Sequence, residues 1–91
     1  MTLRWTPEAV EDLARLYRFL AEVNPQAALR VVTALRNAVR QLLVHPRLGP
    51  SLPGFEGRDV RRVVVGDYEV RYELAGEAIH VLRFSHTRED R

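Results

Sequence analysis

The chain has 91 residues, the length of one domain, and its net charge of +2 includes 14 arginines and no lysine. The absence of cysteine excludes a disulfide framework and thiolate metal sites, and no apolar run approaches the roughly 20 residues that span a bilayer. A chain of this size buries about 64% of its unfolded surface, so the expected single core is thin and leaves apolar surface for a partner.

The first predicted elements are a short strand and a helix. Polar and apolar residues alternate from Thr2 to Trp5, which predicts the strand. Thr6, Pro7 and Glu8 predict a helix start, because threonine caps well, proline fits the first helical position and an acid favours the positive end of the dipole. One apolar helix face follows, formed by Val10, Leu13, Leu16, Tyr17 and Leu20.

A second helix is predicted to follow after a very short connection. Asn24 is a good N-cap and Pro25 a good first residue, and no breaker interrupts the chain before His45 and Pro46. The apolar stripe of this helix comprises Ala28, Val31, Val32, Leu35, Ala38, Val39 and Leu42. Because the connection is so short, the two helices are expected to pack as an antiparallel hairpin, followed by an ordered loop over residues 45–57.

Three strands are predicted in the last third of the chain. Residues 60–65 are rich in valine, Gly66 and Asp67 form a two-residue turn, and residues 68–74 alternate strictly between apolar and polar side chains. A turn over residues 75–77 leads into a last strand, residues 78–84. The short turns predict an antiparallel three-stranded meander, and the fold class is therefore α+β.

Alternation along the strands also predicts which side chains face the helices. Tyr68, Val70, Tyr72 and Leu74 are expected to face the helices, whereas Glu69, Arg71 and Glu73 are expected to face outward. One of the neighbours Arg61 and Arg62 must also face outward, and Arg83, two residues after Val81, is expected to share the face of Val81. The last strand is apolar on both sides, which predicts cover on both faces, either as a middle strand or through a partner.

Together these segments resemble the RelE/ParE toxin superfamily over essentially the whole chain. The matching stretches are Trp5 to Leu13 at the first helix start, Asn24 to Ala28 at the turn between the helices, and the loop His45-Pro46-Arg47-Leu48-Gly49. Arg61 to Tyr72 resembles the family's central strand pair, and Val81 to Asp90 resembles its closing strand with an Arg-x-x-His-x-x-x-Asp ending. No single stretch is decisive, but the five occur in the family's order.

The resemblance implies a cytoplasmic toxin that a cognate antitoxin neutralises, with the antitoxin's C-terminal segment wrapping the helices and the sheet in a toxin–antitoxin hetero-oligomer. It also implies one of two mechanisms. RelE-like members cleave mRNA in the ribosome, whereas ParE-like members act on DNA gyrase. The His45-Pro46 loop, the Asn24-Pro25 turn and the position of Arg61 at the entry to its strand favour the ParE-like branch, of the kind associated with plasmid stabilization.

RNA cleavage needs a general base, a general acid and cations for the developing phosphorane charge. Arg61, Arg62 and Arg88 match the family's basic positions only loosely, and His86 is the one candidate acid or base nearby. The chain lacks lysine, has no tyrosine after residue 72, and carries Glu69 where nuclease members often have arginine. The catalytic candidates are thus His86, Arg88 and Arg61, and the binding candidates are Arg61, Arg62, Arg71, Arg83 and Arg88.

Three functional hypotheses follow from the sequence and the resemblance. The first is a gyrase-directed toxin, the second a ribosome-dependent endoribonuclease, and the third a non-toxic binding module on the same fold. Whether the protein is an enzyme stays open, although the first hypothesis does not require catalysis. No cofactor, metal or membrane contact is expected, because the three histidines lack metal-ligand spacing and no motif for a cofactor occurs.

Overall fold

The computed structural model describes residues 1–88, which contain two helices and one four-stranded sheet. The elements in chain order are β1 (Thr2–Trp5), α1 (Pro7–Val23), α2 (Pro25–Val44), β2 (Asp59–Val65), β3 (Tyr68–Ala75) and β4 (Ala78–His86). The predicted α+β class is confirmed. Neither helix in this described part has the length and apolar character needed to cross a membrane.

Both helices begin at the predicted caps. The Thr6 hydroxyl accepts a hydrogen bond from the Ala9 N–H at 3.0 Å and donates one to the Leu82 carbonyl at 2.9 Å, which ties the start of α1 to β4. Asn24 ends α1 with its backbone N–H and starts α2 with its side chain, which accepts from the N–H groups of Gln26 and Ala27 at 3.1 Å each. One residue therefore serves both helices, which confirms the tight hairpin.

The sheet has the strand order β1-β4-β3-β2. The predicted antiparallel meander of β2, β3 and β4 is present, and β1 extends it by pairing in parallel with the first half of β4. The last strand therefore lies between two other strands, as one of the two sequence-based alternatives stated. The parallel pair joins residues at opposite ends of the chain, with Leu3 beside Ile79 and Trp5 beside Val81.

A β-bulge in β4 overturns the predicted orientation of Arg83. Arg71 pairs with Arg83 and Tyr72 pairs with Val81, so Leu82 is an extra residue between them. A bulge of this kind re-aims the side chains that follow it. Arg83 consequently does not share the face of Val81, and Phe84 joins Val81 in the core instead. Apolar residues before and after the bulge, Ile79, Val81 and Phe84, thus all belong to the core.

The core lies between the helical hairpin and one face of the sheet. Its buried members come from α1, α2, β3 and β4, and they are Ala9, Leu35, Val39, Leu42, Val70, Tyr72, Ile79, Val81 and Phe84. Leu3 and Trp5 of β1 pack against these residues from the same side, as the alternation predicted. We call the opposite sheet face, which carries no helix, the outer face.

Candidate functional site: an arginine row on the outer sheet face

Three arginines lie side by side across the outer face. The sheet register pairs Arg62 of β2 with Arg71 of β3 and pairs Arg71 with Arg83 of β4. Directly paired residues project from the same face, and neighbouring strands are about 4.8 Å apart, so the three guanidinium groups are close together. We call these three residues the arginine row. Its side chains are 45%, 29% and 56% exposed, respectively, so all three can reach a partner.

Glu69 forms ion pairs with two members of this row, Arg62 and Arg71. It faces outward, as expected, yet only 2% of the residue is exposed. The reason is that Arg62 and Arg71 cover it: Arg62 donates to one carboxylate oxygen at 2.9 Å and Arg71 to the other at 3.2 Å. The predicted face of Glu69 is confirmed, and the residue is buried there because the two long guanidinium side chains cover its carboxylate.

Asp12 of α1 forms an ion pair with the third member, Arg83. The strand β1 ends opposite Val81, so beyond that point the edge of β4 faces α1 rather than a strand. There the Asp12 carboxylate takes the place of a neighbouring strand. It accepts hydrogen bonds from the Phe84 N–H at 3.0 Å and from two nitrogens of Arg83 at 2.8 Å and 3.0 Å. Arg15 adds a longer contact at 3.4 Å. Asp12 thus joins the first helix to the arginine row across the strand edge.

The charges around Asp12 decide its protonation state. Burial acts to raise the pKa of Asp12, but the hydrogen bonds from Arg83 and from the Phe84 N–H outweigh that effect and hold the pKa below its usual value. The hydrogen bond from Arg83 to this carboxylate raises the pKa of the Arg83 guanidinium in return. Both groups are therefore charged at neutral pH, and the contact is a charge-assisted pair.

A cleft lies beside the two carboxylates and two members of the arginine row, Arg71 and Arg83. Its volume is about 340 Å³, and it is lined by Asp12, Arg15, Glu69, Arg71, Arg83, Phe84 and Ser85. These lining residues include no histidine, tyrosine or lysine. The cleft can bind an anionic group through its arginines, and the only lining side chains that could take up a proton are the carboxylates of Asp12 and Glu69, both of which are held by arginines.

His86 lies beyond this cleft, at the end of β4. Its Nδ1 accepts a hydrogen bond from the Arg88 backbone N–H at 3.1 Å, and its ring packs edge-on against Tyr68 with 5.2 Å between the ring centres. It lines a neighbouring cleft of about 400 Å³ together with Leu16, Phe19 and Arg15 of the first helix. Its catalytic role stays a prediction.

Arg88 is exposed and follows β4 as the last described residue. Its backbone N–H is used by His86, and its predicted binding and catalytic roles remain predictions. Asp90, which closes the Arg-x-x-His-x-x-x-Asp stretch, lies outside the described residues, as do Glu89 and Arg91.

Arg61 is separated from the arginine row by strand alternation. Its side chain is only 15% exposed, and it donates to the Asp59 carboxylate and to the Gly49 carbonyl, both at 2.9 Å. It therefore fixes the loop after α2 instead of joining Arg62 on the outer face. The expectation that one of the two neighbours faces outward is met by Arg62.

The loop that Arg61 holds is the one with the family-like His-Pro-x-x-Gly sequence. The buried Tyr72 hydroxyl donates to the Pro46 carbonyl at 2.8 Å and accepts from the Gly49 N–H at 3.0 Å. A side chain at position 49 would place its Cβ 2.1 Å from the Arg62 carbonyl oxygen, so only glycine fits there. We call Gly49, Arg61 and Tyr72 the loop clamp.

The sequence reasoning missed Asp12 and Arg15 as members of the site. The available signal was weak: Asp12 lies three residues after the buried Ala9 and four before Leu16, which places it on the helix face toward the sheet. A carboxylate on that face requires a buried cationic or N–H partner. Finding the partner, Arg83, required knowledge of the bulge.

The comparisons with known proteins agree with this architecture. The model of the family "ParE toxin of type II toxin-antitoxin system" matches residues 3–91. Toxin RelE2 of Caulobacter vibrioides is 32% identical over 82 residues, which is 90% of this chain and 90% of that protein. Toxin RelE1 of the same organism is 33% identical over 87 residues, with 91% of this chain and 89% of that protein covered.

A solved structure has the same fold. A chain of the chromosomal ParDE toxin–antitoxin system from P. aeruginosa superimposes with a TM-score of 0.77 and 26% sequence identity, covering 94% of this chain and 95% of that one. The family match spans almost the whole sequence, and the relatives and the solved structure cover nearly their full lengths. The chain therefore belongs to the ParE toxin family, within the RelE/ParE superfamily, and is the toxin of a type II toxin–antitoxin pair with a cognate antitoxin as its partner.

Proposed function

We propose that this toxin inhibits DNA gyrase by protein contact, and that its outer face makes the contact. The observation that carries the proposal is that two buried carboxylates, Asp12 and Glu69, occupy the centre of the arginine cluster. Arginines engaged in this way are less available to a phosphorane than free cations. The resemblance to ParE-like members, which act on DNA gyrase, supports the same target class.

The electrostatics of the cleft argue against RNA cleavage there. A phosphorane needs positive charge preorganised around it, in a site where each donor already points at the developing charge. Here Arg62 and Arg71 point at Glu69, and Arg83 points at Asp12. A scissile phosphate would have to displace those contacts and would lie beside two negative groups, which costs binding energy in a partly buried site.

The helical hairpin supports antitoxin binding, as the resemblance implied. A groove of about 560 Å³ has an apolar floor and arginines at its rim, and its lining residues are Trp5, Val10, Leu13, Ala14, Tyr17, Arg18, Val32 and Arg36. Val10 is 54% exposed and Tyr17 41% exposed, although both belong to the apolar stripe of α1. Apolar area of this kind, left open by a thin core, is typical of a surface that a partner covers.

The test is inhibition of purified gyrase. We expect the free toxin to block negative supercoiling of relaxed plasmid and expect the toxin–antitoxin complex, at the same toxin concentration, to leave supercoiling intact. Topoisomerase I relaxation in the same buffer serves as the control for general interference with DNA. Full supercoiling activity at a large molar excess of folded free toxin would rule out the proposal.

A second candidate function is mRNA cleavage on the ribosome, which His86 favours because it lines a cleft beside Arg15. Toeprinting of a translated mRNA with the free toxin tests it. If cleavage occurs and is lost in His86→Ala and Arg88→Ala, the enzyme hypothesis replaces the gyrase hypothesis. If induction without antitoxin leaves growth, supercoiling and mRNA unaffected, the non-toxic binding module is the remaining hypothesis.

A further inference from the structure

The cleft that His86 lines lies on the helix side of β4, beyond the point where β1 stops. Its volume is about 400 Å³, and we call it the edge cleft. Its apolar floor is formed by Leu16, Phe19, Tyr68 and Phe84. Phe84 is buried in the core, whereas Phe19 is 68% exposed, so the cleft runs from the core to an aromatic ring in solvent.

The exposure of Phe19 is the feature that indicates a partner. A single exposed apolar residue is common on protein surfaces, but Phe19 adjoins a concave apolar floor, which is the shape of a binding site. Aromatic rings in such positions contribute strongly to binding when a partner covers them. An apolar side chain placed in the edge cleft would contact Phe19 together with Leu16 and Tyr68.

The exposed charge at the rim of the edge cleft is positive. Asp12 and Arg15 both line it, but the Asp12 side chain is 3% exposed and the Arg15 side chain 60% exposed. Arg83, also more than half exposed, binds the same carboxylate. Guanidinium groups bind carboxylates through paired N–H donors, so an acidic residue complements this rim. Glu8 and Glu11 lie beside the two arginines along the start of α1, so the acidic residue fits on the β4 side.

The edge cleft is continuous with the surface proposed to contact gyrase. It shares Asp12, Arg15, Phe84 and Ser85 with the cleft beside the arginine row. The outer face and the edge cleft therefore meet along the edge of β4, and a partner on the outer face reaches both.

The hairpin groove lies on the other flank of α1. A helix has about 3.6 residues per turn, so Asp12, Arg15 and Phe19 project about 180° away from Val10, Ala14 and Tyr17, which line the groove. A segment bound in the hairpin groove consequently does not reach the edge cleft directly.

We propose that the edge cleft receives an apolar side chain of gyrase, and that an acidic residue next to it in the gyrase chain contacts Arg15 and Arg83. This inference rests on the proposed function and specifies the chemistry of the gyrase segment that the toxin recognises. Neighbouring side chains of an extended segment point to opposite sides, so one enters the edge cleft while the other meets the arginines.

The test measures gyrase inhibition and antitoxin affinity on the same toxin variants. We expect Phe19→Ala to raise the toxin concentration for half-inhibition of supercoiling about tenfold, as for truncation of an aromatic residue central to an interface. Its antitoxin affinity should equal that of wild type. Leu29→Ala is the matched control, because Leu29 is 61% exposed on α2 and lies outside the edge cleft, so both quantities should stay at their wild-type values.

Arg15→Gln tests the charged part of the contact separately. It should raise the half-inhibitory concentration about threefold, since contacts between exposed charges contribute little individually. Arg40→Gln is its control, because Arg40 is exposed on α2, away from the edge cleft. Thermal unfolding of each variant checks that it is folded, and Phe19→Gln replaces Phe19→Ala if the latter unfolds at a lower temperature.

The outcomes separate this inference from the proposed function. If wild type inhibits gyrase and Phe19→Ala inhibits equally well, the inference is wrong and the proposed function stands. If folded wild type does not inhibit gyrase, both are wrong. A loss of antitoxin affinity in Phe19→Ala as large as its loss of inhibition would also overturn the inference, by assigning the cleft to the antitoxin. A change from dimer to monomer in Phe19→Ala, measured by light scattering, would overturn it by assigning the cleft to a second copy of the chain.

Discussion

Two adjacent arginines on β2 belong to regions with opposite character. Arg61 belongs to the loop clamp, where it is largely buried and donates to Asp59 and to the Gly49 carbonyl. Arg62 belongs to the arginine row, where it is exposed and covers Glu69. Strand alternation alone turns them to opposite sides. The comparison shows that two neighbouring residues in the same family-like stretch have different roles: Arg61 stabilises the fold, and Arg62 forms part of the exposed surface.

The stretches that carry the family resemblance mostly build the fold. In the loop clamp, the buried Tyr72 hydroxyl accepts a hydrogen bond from the Gly49 N–H and donates one to the Pro46 carbonyl of the same loop. The outer face shows the weaker resemblance to the family in sequence, but it carries the exposed charges. If this contrast is correct, substitutions in the loop clamp should lower stability, and substitutions in the arginine row should lower affinity for partners.

The largest stability effect is expected at Gly49. Gly49→Ala should lower the free energy of unfolding by about 3 kcal/mol, because the new Cβ would lie 2.1 Å from the Arg62 carbonyl and the backbone must move. Urea denaturation measures it. Gly57→Ala is the control: its site is open but has φ of +73°, so only backbone strain of about 1 kcal/mol applies. Equal losses would show that the close approach does not constrain the loop.

The next effect is expected at Tyr72. Burial raises the pKa of the Tyr72 hydroxyl, so it is protonated and donates to Pro46. Tyr72→Phe leaves the Pro46 carbonyl and the Gly49 N–H without this partner and should cost about 2 kcal/mol. Urea denaturation again measures the loss, and antitoxin affinity should be unchanged. Tyr17→Phe is the control, because it removes the hydroxyl of an exposed tyrosine and should cause no comparable loss of stability. A stable Tyr72→Phe with weakened antitoxin binding would reverse the roles assigned to the two regions.

Local signals made part of the fold predictable. Thr6 and Asn24 act through hydrogen bonds to residues two or three positions away, so the caps and the hairpin are readable from the sequence. The strict alternation of β3 likewise gave the faces of Val70 and Tyr72. Each of these features depends on a few neighbouring residues and hardly at all on the rest of the chain.

Non-local features were not predictable in the same way. The pairing of β1 with β4 joins the two ends of the chain, and the bulge at Leu82 depends on how β4 fits β3. The position of Arg83 depends on that bulge, and the burial of Asp12 depends on where β1 stops. The candidate site is therefore assembled by tertiary contacts that a pattern of residues along one strand does not contain.

Asp12 connects the fold to the arginine row and should show a pH dependence. Its pKa is lowered from 3.8 in the folded protein, so the stabilisation is present above that value and is lost as the pH falls through the folded pKa. Asp12→Asn should cost about 1 kcal/mol at neutral pH, through loss of the charge-assisted bonds to Arg83. The difference between wild type and Asp12→Asn should vanish in acid.

Urea denaturation of both proteins across the acid range measures this difference. Glu11→Gln is the control, because Glu11 is exposed on the same helix, so the stability of this variant should follow that of wild type. A wild-type advantage that persists unchanged below the usual aspartate range would show that the Asp12 charge does not contribute.

The smallest stability effects test the two regions against each other. Arg61→Gln should cost about 1 kcal/mol, because it removes a buried donor from the Gly49 carbonyl. Arg83→Gln should cost only about 0.5 kcal/mol, since its side chain is 56% exposed and Asp12 keeps the Phe84 N–H. For inhibition of gyrase, which the outer face is proposed to contact, the order should reverse: Arg83→Gln should inhibit less than wild type, and Arg61→Gln should inhibit as well as wild type. Both quantities are needed, because a clamp residue that also contacted gyrase would lose both stability and inhibition and would merge the two regions into one surface.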